Sequence, residues 1–137
     1  MLLPIDVFFY GLYMDEAVLR GAGVTPRAPR KARADGFALR IGRRAALVPA
    51  PESAAWGVVY ALTPAELATL YGAPGLEAYR PDDIEVTLEN RAIVSARVYN
   101  LPQPPAAGER NPEYAEKLKA LLTRLDMPAD YIAGIAN

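Results

Sequence analysis

The run Trp56-Gly57-Val58-Val59-Tyr60-Ala61-Leu62 passes without a break into Thr63-Pro64-Ala65-Glu66. A short apolar run rich in β-branched and aromatic residues predicts a buried strand. Threonine, proline at the next position and glutamate at the third predict an N-cap, a first-turn proline and a capping box, so a helix is expected over Pro64 to Tyr71. Gly72, Pro74 and Gly75 end it. Upstream, Phe37 to Ile41 and Ala45 to Val48 have strand character, with turns expected at Gly42-Arg43-Arg44 and over Pro49 to Ser53. These strands form the centre of a sheet.

The sheet grows on both sides. Ile5 to Tyr10 is a short apolar strand stopped by Gly11; Asp15 caps a brief helix to Arg20, which Gly21-Ala22-Gly23 ends. Ile84 to Leu88 and Ala92 to Tyr99 are further strands around a hairpin turn at Glu89-Asn90-Arg91. After a proline-rich connector, Leu101 to Gly108, Asn111 caps a helix with Pro112 in its first turn. Tyr114, Ala115, Leu118, Leu121, Leu122 and Leu125 make one apolar stripe on it. Pro128 opens a last short helix ending near Ala136. Strands in the first two-thirds and helices at the end predict an α+β fold, its mostly antiparallel sheet curled toward a small β-barrel, flanked by short helices and a C-terminal helical extension.

Composition narrows the chemistry. The 137 residues and 52% hydrophobic content suit one domain, spanning 1–137. The net charge of −1 offers no chain-wide attraction for nucleic acid or an anionic membrane. Arg27, Arg30, Lys31 and Arg33 cluster between Pro26 and Arg33, but without interleaved aromatics, so this segment is expected to be a solvated loop. Cysteine and histidine are both absent, which excludes disulfides, thiol nucleophiles, histidine bases and zinc sites that use either ligand. The apolar start, Met1 to Tyr10, is too short to span a bilayer, has no basic segment and carries Asp6, so a cytoplasmic protein is expected.

Several short segments carry a family resemblance. Phe9-Tyr10-Gly11-Leu12-Tyr13-Met14 resembles the Tyr-Gly-Ser-Leu-Met signature of gamma-glutamylcyclotransferase-like proteins, and Trp56-Gly57-Val58-Val59-Tyr60 is similar to a strand of theirs. Leu70-Tyr71-Gly72-Ala73-Pro74-Gly75 stands where that family has Leu-Asp-x-x-Glu-Gly, and Tyr79 follows. Asn111-Pro112-Glu113-Tyr114 and Met127-Pro128-Ala129-Asp130-Tyr131 resemble elements of members with a C-terminal extension. The resemblance implies a cofactor-independent reaction: the α-amino group of a gamma-glutamyl substrate attacks its own γ-carbonyl, expels an amine and closes 5-oxoproline. A glutamate shuttles the proton in that family.

Here Pro74 takes the glutamate position, and proline has neither a titratable group nor an amide hydrogen. The nearest carboxylate is Glu77, which serves as base if the loop from Gly72 to Tyr79 turns it inward and is otherwise an exposed loop residue. The resemblance places substrate contacts at Tyr10, Gly11, Leu12, Tyr13, Met14, Tyr71, Pro74, Gly75 and Tyr79. The backbone amides after the first strand would hold carboxylate or oxyanion charge. The ligand is then a small gamma-glutamyl or related amine or carboxylate compound; the alternative is a catalytically silent binding module. No nucleic acid, membrane, metal or cofactor is expected, and a homodimer is compatible with the tyrosine-rich surface.

Other candidates have plainer readings. Asp6 is either a functional carboxylate or the exposed start of a strand, Asp82-Asp83 a cation site or a solvated turn, Arg40, Arg43 and Arg44 a grip for a substrate carboxylate or the free end of a hairpin; the second, plainer reading is expected of each, and Trp56 is expected in the core.

Overall fold

A computed structural model describes residues 3–135. Strand β1 (Ile5–Phe9) leads through a 3-10 turn (Leu12–Met14) into α1 (Glu16–Gly21). Two long strands follow, β2 (Arg27–Ile41) and β3 (Ala45–Leu62), then α2 (Pro64–Tyr71), the hairpin β4 (Arg80–Leu88) and β5 (Ile93–Asn100), and helices α3 (Pro112–Arg124) and α4 (Ala129–Ala133). The strands close into a barrel in the order β1-β3-β2-β4-β5. Neighbours are antiparallel except β1 and β5, which meet in parallel at Val7 and Arg97 and seal the cylinder. Closure leaves no free sheet edge, which removes the template for edge-to-edge association.

Alternation along β1 builds two cores. Phe8 and Tyr10 join Ala32, Val59, Val86 and Val98 in a cluster fed by all five strands, which is the barrel interior. Val7 and Phe9 face the other way, into a cluster with Leu19, Leu67, Leu118 and Leu122 under the helices. Fully buried Ala32, Ala34 and Ala55 line the interior, small enough for a narrow barrel. The stripe expected on α3 packs as written, with Ala115, Leu118, Leu121 and Leu122 buried.

Several expectations are corrected. Pro26 to Arg33 is not a solvated loop. From Arg27 it is the first part of β2, because Ala32 and Ala34 turn inward while Lys31 and Arg33 turn out, opposite Val58 and Trp56. The prolines sit beside a bulge where the register shifts between Arg27 and Arg30 and Ala28 takes φ 53°. Nor does Pro49 to Ser53 break the sheet: β3 runs through it while the register jumps from Asp35↔Ala54 to Phe37↔Pro49. Gly36, at φ 85°, absorbs that jump on the partner strand. The acidic pair is also on a strand, with Asp82 opposite Val98 and Asp83 opposite Arg97, both exposed. Asp6 forms a two-pronged ion pair with Arg30, at 2.7 and 3.2 Å. Trp56 is half-buried on the outer face with the Arg33 guanidinium 5.8 Å from its ring centroid. The short last helix ends at Ala133, and Ala136 lies outside the described residues.

The caps form where expected. Asp15 accepts from the Ala17 amide at 3.0 Å and Asn111 from the Tyr114 amide at 3.2 Å. In α2 the capping box is complete: Thr63 Oγ1 accepts from the Glu66 amide at 3.2 Å and Glu66 accepts from the Thr63 amide at 2.9 Å. Glu66 also accepts from the Thr25 amide at 2.7 Å and from Arg27 at 2.8 Å, tying α2 to the start of β2. Burial alone would raise its pKa. The hydrogen bonds from Arg27, Thr63 and Thr25 outweigh burial and hold the carboxyl at about 2 instead of 4.5. A lowered carboxyl contributes stability that is present above about pH 4.5 and is lost as pH falls toward 2. Glu66→Gln is therefore expected to cost about 2 kcal/mol at pH 7, and urea titrations should show that gap closing between pH 4.5 and 2.

Candidate functional site: a tyrosine-lined cavity at the end of the first strand

β1 stops because Gly11 follows Tyr10 and the chain turns at once into the 3-10 turn, where the Met14 amide donates to the Gly11 carbonyl at 3.0 Å. Gly11 is required for space: a Cβ there would stand 2.5 Å from the Tyr114 hydroxyl of α3. A cavity of about 330 Å³ opens beside this turn. Tyr10, Gly11, Leu12, Tyr13, Tyr71 and Tyr79 come together around it. Met14, Pro74, Gly75 and Glu77 are not among its lining residues. Met14 is fully buried in the outer core, its carbonyl accepting from the Tyr60 hydroxyl at 2.8 Å. From the loop after α2, Leu76 and Tyr79 reach the cavity.

Glu77 lies in solvent. Both of its carboxylate oxygens accept from the Gly75 amide, at 3.0 and 3.1 Å. Hydrogen bonds from its own amide and from Gly75 hold its carboxyl below the usual carboxylate range. A general base for an ammonium needs the opposite shift and an inward position.

The other walls come from distant parts of the chain. Arg43, Arg44 and Ala45 arrive on the β2–β3 hairpin tip, Tyr99 from the end of β5 and Tyr114 from α3. The tip is pinned to the segment leading into α3. The Arg43 amide donates to Glu109 at 2.7 Å and Asn111 donates to the Gly42 carbonyl at 3.1 Å. Tyr71 stacks on Tyr99 with centroids 3.8 Å apart and planes 13° apart, and Tyr13 meets the edge of Tyr71 at 6.2 Å. The Tyr10 hydroxyl donates to the Tyr99 carbonyl at 2.9 Å and Tyr79 to the Ala45 carbonyl at 2.6 Å.

Burial keeps the phenols of Tyr10, Tyr13, Tyr71, Tyr79 and Tyr114 protonated. It drives Tyr10 and Tyr71 well above the ordinary tyrosine value and raises Tyr13. Tyr79 is pushed to about 12 by burial, against the pull of Arg44 and of its hydrogen bond at Ala45. Tyr114 is likewise raised by burial, against a hydrogen bond with the Leu12 backbone. That contact engages one of the turn's backbone groups from within the protein. Among the described residues no Asp or Glu lines the cavity, so its ionisable lining is tyrosine and arginine alone.

A family model described as "Gamma-glutamyl cyclotransferase, AIG2-like" matches residues 7–118. The chain belongs to this family. Solved structures share the fold of this gamma-glutamylcyclotransferase-like domain. One named gamma-glutamyl cyclotransferase has a TM-score of 0.80 at 18% identity, over 97% of this chain and 88% of that one. An uncharacterised human protein gives 0.78 at 19% identity, over the same shares. YkqA from Bacillus subtilis gives 0.77 at 22% identity, over 95% of this chain and 52% of that one. At such identities the likeness is one of fold. No curated protein matches the sequence. Among the described residues no helix is long and apolar enough to cross a membrane.

The sequence marked the turn after β1 and the tyrosines near it, and offered Arg43 and Arg44 as a grip for a carboxylate without placing them at this cavity, but it did not mark Leu76 and Tyr99. The arginine pair was visible as a hairpin tip. Tyr114 carried two signals, the Asn111-Pro112-Glu113-Tyr114 resemblance and the α3 stripe, and neither said which cavity it faces. Tyr99 and Leu76 had no local signal.

Proposed function

We propose that this member of the gamma-glutamylcyclotransferase-like family uses the cavity to bind a small molecule and does not itself close 5-oxoproline. The observation that carries this reading is the cavity's ionisable lining of tyrosine and arginine, with no carboxylate. Intramolecular aminolysis must take a proton from an ammonium before attack and return one to the leaving amine. Phenols whose pKa burial raises, to about 12 at Tyr79, do not accept that proton near pH 7. A guanidinium does not either. Glu77 is committed to the Gly75 amide on the outside of its loop.

The test is 5-oxoproline release from gamma-glutamyl amines and dipeptides at neutral pH. Wild type and Glu77→Gln are both expected at the level of the enzyme-free control. Pro74→Glu should stay there too, because position 74 lies outside the cavity lining. Release by wild type that Glu77→Gln abolishes would overturn this reading and return the proton shuttle to Glu77.

A further inference from the structure

Resting on the reading of this cavity as a binding site, we infer that its ligand is a small anion with a flat apolar body, the carboxylate or phosphate held by Arg43 and Arg44, rather than a zwitterionic gamma-glutamyl amine. The charge distribution points this way. Arg43 and Arg44 are the only charged side chains lining the cavity among the described residues, and both bring positive charge. Neither guanidinium makes a hydrogen bond or ion pair among those residues. Planar guanidinium groups recognise carboxylate and phosphate through paired hydrogen bonds, so an unpaired couple at the rim of an aromatic cavity is a ready anion receptor.

The carboxylates nearest in sequence and contact are engaged elsewhere. Glu109 accepts from the Arg43 backbone amide, which fixes the hairpin tip and leaves the side chain to the cavity. Glu77 senses Arg44 from the solvent side, but its oxygens are held at the Gly75 amide. An α-ammonium entering the cavity would meet two like charges and no carboxylate. The tyrosine hydroxyls of Tyr10 and Tyr79 already spend their protons on backbone carbonyls. Those of Tyr13, Tyr71 and Tyr99 make no hydrogen bond among the described residues and remain as donors for an anion's outer oxygens.

The body of the ligand follows from the walls. Phe9, Tyr13, Tyr71 and Tyr99 present a mostly apolar surface. The volume of about 330 Å³ lies at the small end for ligand pockets. A single ring with a short acidic arm fits that description; a nucleotide or a long peptide does not.

Isothermal titration with 3-phenylpropionate, 3-phenylpropionamide, phenyl phosphate and gamma-glutamyl anilide tests this directly. The carboxylate or the phosphate is expected to bind at least about tenfold more tightly than the neutral amide, and their order tells which head group the arginines prefer. Arg43→Gln/Arg44→Gln should erase that preference, and raising the salt should weaken only the anions. Lys117→Ala, which removes one positive charge from the exposed side of α3, should bind as wild type does. Equal binding of carboxylate, phosphate and amide to the wild type, or tightest binding of gamma-glutamyl anilide, would overturn the inference. Measuring 5-oxoproline in the anilide samples separates the two readings. Release there sinks the non-catalytic assignment, whereas tight anilide binding without release sinks only the anion preference. Absence of binding by every probe would sink both.

Discussion

Gly57→Ala is expected to destabilise the protein by about 3 kcal/mol or more, a large part of what a domain of this size has. Gly57 is buried in β3 opposite Ala32, next to the Phe9↔Val58 pair that ends the β1–β3 ladder. An added Cβ would collide with the Phe9 carbonyl oxygen and approach the Phe8 ring to 2.8 Å. The Phe9 carbonyl cannot step aside, because Phe9 is paired with Val58 in the same ladder. Phe8 cannot swing away either, being 1% exposed in the barrel interior. The strain falls just before Tyr10 and Gly11, so a variant that still folds should also lose ligand affinity at the cavity. Urea unfolding measures the effect. Gly108→Ala is the control, since nothing stands within 4 Å of its added Cβ and its effect should stay within about 0.5 kcal/mol. A Gly57→Ala protein as stable as the wild type would mean that the end of β1 does not approach Gly57 this closely.

Asn100→Ala is the second large effect, expected at about 3 kcal/mol. Leu47 is 3% exposed and lies on β3 beyond the residues that pair with β1. Its backbone is satisfied by a side chain: Asn100 Nδ2 donates to the Leu47 carbonyl and Asn100 Oδ1 accepts from the Leu47 amide, both at 2.9 Å. The same oxygen accepts from the Leu101 amide at 3.0 Å and from the Tyr10 hydroxyl at 3.3 Å. Truncation leaves a buried N–H and a buried C=O without partners, each costing about 1–3 kcal/mol. Asn100→Asp keeps the shape and the acceptor but loses the donor to Leu47, and sets a negative charge against its carbonyl. It should therefore be destabilised nearly as much as Asn100→Ala at pH 7, as read from thermal or urea midpoints. If Asn100→Asp instead matched the wild type, the Nδ2 hydrogen bond would not matter. Ligand affinity should fall in both variants, because Asn100 is bonded to Tyr10 and adjoins Tyr99, both of which line the cavity.

These residues also mark where the sequence was legible. Thr63-Pro64-Ala65-Glu66 announced α2 because a capping box is a contact within three residues, and neighbours that close need no tertiary partner. The α3 stripe and the Glu89-Asn90-Arg91 hairpin were legible for the same reason. Arg91 takes the φ 70° that the turn demands. The prolines and arginines from Pro26 to Arg33 misled because local composition spoke for a loop, while pairing with Val58 and Trp56 supplied the strand. The prolines and serine of Pro49 to Ser53 did so because a bulge carries the same local signature as a turn.

For the site, the sequence by itself established the glycine turn after the first strand, the tyrosines beside it, and the absence of cysteine and histidine. Those are matters of residue type and short spacing. Only the tertiary structure decided that Leu76 rather than Pro74 or Glu77 enters the cavity, that Glu77 binds the Gly75 amide outside it, and that Arg43, Arg44, Tyr99 and Tyr114 complete it. The physical reason is barrel closure. Parallel contact of β1 with β5 sets Tyr99 near Tyr10, and the hold of Glu109 and Asn111 on the β2–β3 tip brings the arginines to the same place. No periodicity along the chain encodes those meetings.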